Sequence, residues 1–278
     1  MLFGTAGVPN SSPGRSTVDG VKRIRELNLD CMEVQFVRGV KMRDATAKQV
    51  RMVASSLNVT LSVHAPYYIN LNADSEVKVR QSVQRLYESA RIGSIMGARN
   101  IVFHPGYYMK RTRDEAFRRV RDALEELVEE IRAFGVVLRP ETSGKREQFG
   151  ELEEIVNLCA ELDLTLPCID VSHIHARTME FNSYEEFFKA LELVENALGS
   201  EAVRDLHVHI SGIEYDSKGE KRHLNLRESD FRFTDLLRAL SDYSADGLVI
   251  CESPNLEEDA VMLKKKFEEL RQAAGARG

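Results

Sequence analysis

The strongest constraint in this sequence is an alternation. Short apolar or β-branched runs recur eight times, at Leu2–Thr5, Cys31–Phe36, Thr60–His64, Asn100–His104, Val136–Glu141, Leu166–Asp170, Leu206–Ile210 and Leu248–Glu252. Between them lie longer stretches with apolar residues at i, i+3, i+4 and i+7, the signature of one buried helix face. Ala116, Val120, Leu124, Leu127, Val128 and Ile131 form one such set, and a last helix is expected from Leu256 to Ala274. Capping residues precede several of these stretches: Ser75 before Glu76, Thr112 before Asp114, and Asn182-Ser183 before Glu185. Strand-then-helix alternation implies a parallel sheet covered by helices. Eight units within 278 residues fit an α/β fold of the closed (β/α)8 type, a TIM barrel, expected as one domain over residues 1–278. An open doubly wound sheet calls for a glycine-rich phosphate loop after the first strand, and Gly4-Thr5-Ala6-Gly7 is too short for one.

Composition removes several function classes. A hydrophobic share of 43% with a formal net charge of −6 is that of a folded chain, not a disordered one. The acidic balance argues against attachment to nucleic acid by overall charge, but leaves room for a basic cleft. No apolar run approaches the roughly 18 residues of a membrane span, and the N-terminus does not read as a signal peptide. The four cysteines contain no C-x-x-C pair, so reduced thiols and a cytoplasmic location are expected.

Chemistry gathers at the strand ends. None of the seven histidines falls in an expected helix. His64 and His104 end strands 3 and 4, Glu141 ends strand 5, and Asp170 ends strand 6 with His173 just after it. His209 lies near the end of strand 7, and Glu252 ends strand 8. In a barrel these ends converge on one mouth. Taken singly, each residue is a satisfied polar group or a helix cap. Together they are three carboxylates brought close, which is costly without cations. Imidazole with carboxylate suits Zn²⁺, Mn²⁺ or Fe²⁺, and this many ligands suits two or three ions. His207 reads as a core or supporting residue below His209, and His175 as a loop residue.

In order along the chain, His64-Ala65-Pro66-Tyr67-Tyr68-Ile69-Asn70-Leu71, His104-Pro105-Gly106, Glu141-Thr142-Ser143-Gly144, Asp170-Val171-Ser172-His173, His209 and Glu252-Ser253-Pro254 resemble the endonuclease IV family. These are apurinic/apyrimidinic (AP) endonucleases within the xylose-isomerase-like TIM barrel superfamily. The resemblance implies two or three zinc ions, with Mn²⁺ or another divalent ion as a substitute, and incision of double-stranded DNA 5′ to an abasic site by a metal-bridging hydroxide. It implies that His64, His104 and Glu141 hold one metal, and that Glu141 bridges to a second completed by Asp170, His209 and Glu252. His173 and His223 would hold a third, with Glu141 also acting on the water. Tyr67 and Arg38 occupy family DNA-contact loops. The third site departs from the family's Asp-x-His: the residues here are Lys221-Arg222-His223. Glu220, one position away, substitutes only if the backbone shifts; otherwise the site weakens and Lys221 supplies positive charge. On this alignment Lys221→Asp is expected to raise third-site occupancy.

The stretch from His209 to Asp230 shows no clear secondary structure and reads as a long functional loop. Basic residues of the expected mouth loops, among them Arg15, Lys41, Arg113, Lys145, Arg146, Arg177 and Lys218, suggest a basic face toward a DNA backbone, and Tyr107 and Tyr108 add aromatic candidates. No membrane partner is expected, and the chain is expected to act as a monomer. A competing reading is a sugar isomerase or epimerase with one metal on Glu141, Asp170, His209 and Glu252. A non-catalytic binding barrel ranks last, since it leaves the ligands without a purpose.

Overall fold

In the computed structural model, which describes residues 1–275, eight parallel strands form the central sheet. They are β1 (Leu2–Ala6), β2 (Cys31–Gln35), β3 (Thr60–His64), β4 (Asn100–Phe103), β5 (Val137–Pro140), β6 (Cys168–Asp170), β7 (Leu206–Ile210) and, last in the chain, β10 (Gly247–Cys251). A separate antiparallel hairpin, β8 (Gly212–Asp216) and β9 (Gly219–Leu224), follows β7. The paired order β5-β4-β3-β2-β1-β10-β7-β6 leaves one seam, between β5 and β6. Parallel bridges Leu138–Thr165 and Glu141–Cys168 span that seam, so the sheet closes into the expected TIM barrel.

Helices α1 (Thr17–Glu26), α2 (Asp44–Leu57), α3 (Glu76–Met96), α4 (Arg113–Ile131), α5 (Leu152–Glu161), α6 (Val171–Thr178), α7 (Tyr184–Leu198), α8 (Ser200–Arg204), α9 (Phe233–Asp242) and α10 (Glu257–Gly275) complete the chain. The amphipathic set of α4 is buried as its spacing demands, from Ala116 to Ile131, each large apolar side chain contributing about 1.5–3 kcal/mol. Thr112 closes a capping box with Glu115, and Ser183 accepts from the Glu186 amide. Ser75 stands at the α3 N-cap without a side-chain hydrogen bond. Strand bounds differ from the expected ones by one or two residues, so His104, Glu141 and Glu252 lie just past their strands. Among the described residues no helix is long and apolar enough to cross a membrane. All four cysteines are buried and unpaired.

Two sequence expectations fail here. The stretch after β7 is not a structureless loop but the β8–β9 hairpin. His173 and His175 lie in α6, not in a loop: Asp170 ends β6 and is at once the N-cap of α6, accepting from the His173 amide at 2.6 Å. Hydrophobic periodicity cannot register a one-residue passage from strand to helix.

The barrel interior is unusually polar. Side chains two apart on a strand share a face, and Glu33, Ser62, Asn100, Arg139, His207 and His209 are all buried within it. Beside them Cys31, Leu248 and Ile250 form a small apolar cluster, separate from the main core under the helices.

Candidate metal centre

Glu141 is the centre of the mouth. His64 Nε2 lies 3.1 Å and His104 Nε2 3.4 Å from its Oε2. On the other side, His209 Nδ1 lies 3.2 Å and His173 Nδ1 3.5 Å from its Oε1. Glu252 Oε1 is 3.6 Å from His209 Nδ1, and Asp170 Oδ2 is 3.3 Å from His173 Nδ1. Of five groups of potential ligands among the described residues, three contain Glu141 or His173. His64, His104 and Glu141 form the first; Glu141, Asp170, His173 and Glu252 the second; His173, Glu220 and His223 the third. In the second group the expected partner His209 also touches Glu141 and Glu252, and it groups with Glu33 and Glu252 as well.

The third group answers the Lys221 question. Pairing in the hairpin slips by one residue: Glu214 faces Arg222, but Tyr215 faces Glu220. Lys221 is the extra residue of a β-bulge, and a bulge inverts the side-chain alternation beyond it. Glu220 therefore takes the face that a regular strand would give Lys221. Its carboxylate stands 3.5 Å from His173 Nε2 and 3.6 Å from His223 Nε2. Lys221 is half exposed and pairs outward with Glu214, as does Arg222. The expectation that Lys221→Asp fills the third site is thus overturned, because position 221 points away from it. Two glycines allow the close fit. A Cβ on Gly144 would meet Glu220 Cβ at 2.7 Å, and one on Gly219, at φ +102°, would meet Gly144 O at 2.1 Å. The Glu220 amide donates to Gly144 O at 3.1 Å.

Ring orientation is set by backbone carbonyls at three histidines. His64 Nδ1 lies 2.8 Å from Ala65 O, His173 Nδ1 3.0 Å from Thr142 O, and His223 Nδ1 3.3 Å from Glu252 O. At His64 and His223 that bond uses the Nδ1 proton and leaves the Nε2 lone pair facing the cluster, whereas His173 also faces Asp170 and Glu141 with Nδ1 and reaches Glu220 and His223 with Nε2.

The electrostatics favour cations. Burial opposes its charge, yet His104, His209 and His64 hold the Glu141 carboxyl well below the usual range. Burial and the neighbouring carboxylates push Asp170 up to about 6, against the pull of His173. His64 and His173 are raised to about 9, Glu141 and Asp170 outweighing burial, while burial lowers His104 to about 4. Asp170 Oδ2 and His104 Nδ1 are buried without a hydrogen-bond partner. Buried groups are rarely left so, and a cation on the Asp170 oxygen would satisfy it. The donor set fits divalent ions of the zinc and manganese type.

A cavity of about 670 Å³ opens above the cluster, lined among others by Tyr67, Tyr107, Lys145, Gln148 and Glu220. Tyr67 is 57% exposed at its rim, its ring centroid 5.9 Å from that of His64. Arg38 is exposed in the β2–α2 turn and lines a neighbouring depression that shares Gln35 and Val37 with this cavity. Other expected contacts are engaged elsewhere. Tyr108 donates to Glu154 at 2.6 Å, and Arg113 pairs with Glu151. Arg177 is buried, with its guanidinium on the carbonyls of Lys145 and Gln148, so it braces the β5–α5 loop. His175 is no loop residue: it is buried in α6 and bonds Asp230 at 3.1 Å.

Sequence reasoning missed Glu33. It is fully buried in β2 and bonded to Ser62, Gln35, His207 and His209. The available signal was a carboxylate inside an apolar strand run.

A family model described as Xylose isomerase-like TIM barrel matches residues 21–273. The chain belongs to that family. It is 47% identical over 97% of its length to an uncharacterized protein of Methanocaldococcus jannaschii, covering 98% of that protein. A probable endonuclease 4 of Mycoplasma pneumoniae is 26% identical, with 77% of this chain and 76% of the relative aligned. Among solved structures, a D-tagatose 3-epimerase-like protein superposes with a TM-score of 0.76 at 20% identity, covering 100% and 99% of the two chains. Endonuclease IV from Thermus thermophilus gives 0.73 at 22%, covering 97% and 99%. At such identities the superpositions speak for the fold alone.

Proposed function

We propose that the chain is a divalent-metal-dependent phosphodiesterase of DNA repair, acting as one domain and as a monomer, that incises double-stranded DNA 5′ to abasic sites. One observation carries the reading: His64 and His104 meet at Glu141, in addition to the Asp170, His209 and Glu252 side chains that with Glu141 would serve a single metal. Relatives named endonuclease 4 support it. Zinc is the expected ion, with manganese as a substitute. Divalent ions in such a site supply Lewis acidity for activating water and for neutralising phosphate and leaving-group charge.

The chain's own residues do the rest. Glu141 lies between the first two ligand groups, placed to orient the attacking water and accept its proton. Tyr67 stands on the rim, exposed, where it stacks against the bases beside a lesion. Lys145 in the cavity wall and Arg38 at its edge meet phosphates.

A second reading, a single-metal sugar isomerase or epimerase, is favoured by the grouping of Glu141, Asp170 and Glu252 with His209 against both glutamates, which flank a site where a proton could be moved beside a carbonyl. Native mass spectrometry of the metal-loaded chain separates the two. Two or three ions per chain, with EDTA-sensitive incision of an abasic duplex, support the nuclease. One ion, with sugar isomerisation or epimerisation and no incision, replaces it with the second reading.

A further inference from the structure

His209 is oriented differently from its neighbours. His64 and His223 turn Nε2 to the cluster and Nδ1 to a carbonyl, and His173 turns Nδ1 to the Thr142 carbonyl as well as toward Asp170 and Glu141. His209 turns Nδ1 to Glu141 and Glu252, and its Nε2 faces Glu33 Oε1 at 3.2 Å. A carboxylate accepts hydrogen bonds and donates none. Glu33 therefore demands the proton on Nε2 of His209 and leaves the Nδ1 lone pair for the site.

Glu33 is itself held by donors. Ser62 Oγ donates to it at 2.9 Å, Gln35 Nε2 at 3.1 Å and His207 Nε2 at 3.0 Å. The polarity of the His207 bond is set from the far end of the barrel. Arg139, fully buried, has only donors, and its Nε reaches Asn100 Oδ1 at 3.1 Å. That fixes the Asn100 amide, whose Nδ2 donates to His207 Nδ1 at 3.0 Å. His207 must then carry its proton on Nε2, toward Glu33. Arg139 also forms an ion pair with Asp205, Nη2 to Oδ1 at 2.9 Å, without a hydrogen bond from that nitrogen. Every hydrogen-bonded link from Arg139 to His209 has one allowed donor direction, and no link contradicts the next.

We infer that Glu33 is a positioning residue which makes His209 an Nδ1 metal ligand, and that the buried chain Arg139–Asn100–His207 locks Glu33 in that role. The inference rests on a metal at His209, which the nuclease and epimerase readings share, so it stands whichever substrate is right. Carboxylates behind ligating histidines tune metal affinity by about 10–100-fold. A glutamine at position 33 offers one oxygen to four donors and turns an amide N–H against one of them.

The test uses the full chain with ¹⁵N-labelled histidine, loaded with ¹¹³Cd²⁺, and reads histidine tautomers by long-range ¹H–¹⁵N correlation. The expected spectrum has His209 protonated on Nε2 and coupled to cadmium through Nδ1, with His64 and His223 showing the opposite pattern. Coupling through His209 Nε2 would place the ion between Glu33 and His209 and overturn the inference. For Glu33→Gln, chelator competition is expected to show about 10–100-fold weaker Cd²⁺ binding at that site. Wild-type affinity in a folded E33Q chain would likewise overturn it. Should E33Q fail to fold, the wild-type spectrum alone decides. DNA cleavage enters neither readout, so a failure here is separate from a failure of the nuclease reading.

Discussion

The bulge at Lys221 makes a sharp forecast about the third ligand group. Glu220 is its only carboxylate, beside His173 and His223. Structural zinc sites with four ligands are worth about 10–16 kcal/mol. One ligand then accounts for about 3 kcal/mol, or about 100-fold in affinity. Glu220→Gln should therefore empty that site at micromolar zinc and leave the other ions bound. Lys221→Asp should leave the count unchanged, because that side chain pairs outward with Glu214. Deleting Lys221 is the stricter arm. It removes the bulge, yet leaves Glu220 two residues before His223 in a regular strand, where both still share a face. Equilibrium dialysis followed by elemental analysis reads the count, with circular dichroism to check folding. A full count in E220Q, or an ion lost on deleting Lys221 from a folded chain, would refute the bulge as the device that presents the ligand.

Three further outcomes follow from the same geometry. Glu141→Gln should abolish abasic-site incision with unchanged circular dichroism; near-normal cutting would remove Glu141 from the chemistry. Tyr67→Ala should leave metal content intact but weaken incision of abasic duplex by roughly 10-fold or more, since stacking contributes about 1–3 kcal/mol per base; unchanged kinetics would take Tyr67 out of the interface. Zinc binding should release protons at pH 7, because His64 and His173, raised to about 9 by their carboxylate partners, are charged without metal and must give up a proton to ligate. Apparent affinity then rises with pH toward about 9. Binding heats that do not vary with the ionisation enthalpy of the buffer would contradict this.

The barrel was legible because eight short apolar runs and the helical stripes between them leave little choice of architecture. That His64, His104, Glu141 and Glu252 share one mouth was legible for a related reason: each sits at or just past the end of a strand, where a parallel barrel must expose it. What escaped was set by single-residue events. Asp170 serves both strand and helix, which hid α6 and misplaced His173 and His175. The bulge at Lys221 shifts alternation by one, and no periodicity of so short a hairpin reports it. Glu33 escaped because its role depends on partners 174 and 176 residues away, His207 and His209. The expected basic face shrank because Arg113, Arg177, Lys221 and Arg222 are occupied by carboxylates or loop carbonyls.

The most direct test of the nuclease is to map the cut. A duplex with one tetrahydrofuran abasic analogue, labelled on the damaged strand, is incubated at low salt with the zinc-loaded chain, with EDTA and E141Q as controls. A single incision immediately 5′ to the analogue, leaving a 3′-hydroxyl that a polymerase extends, and lost in both controls, is the predicted result. An intact strand in the presence of a chain carrying two or three bound ions would contradict it.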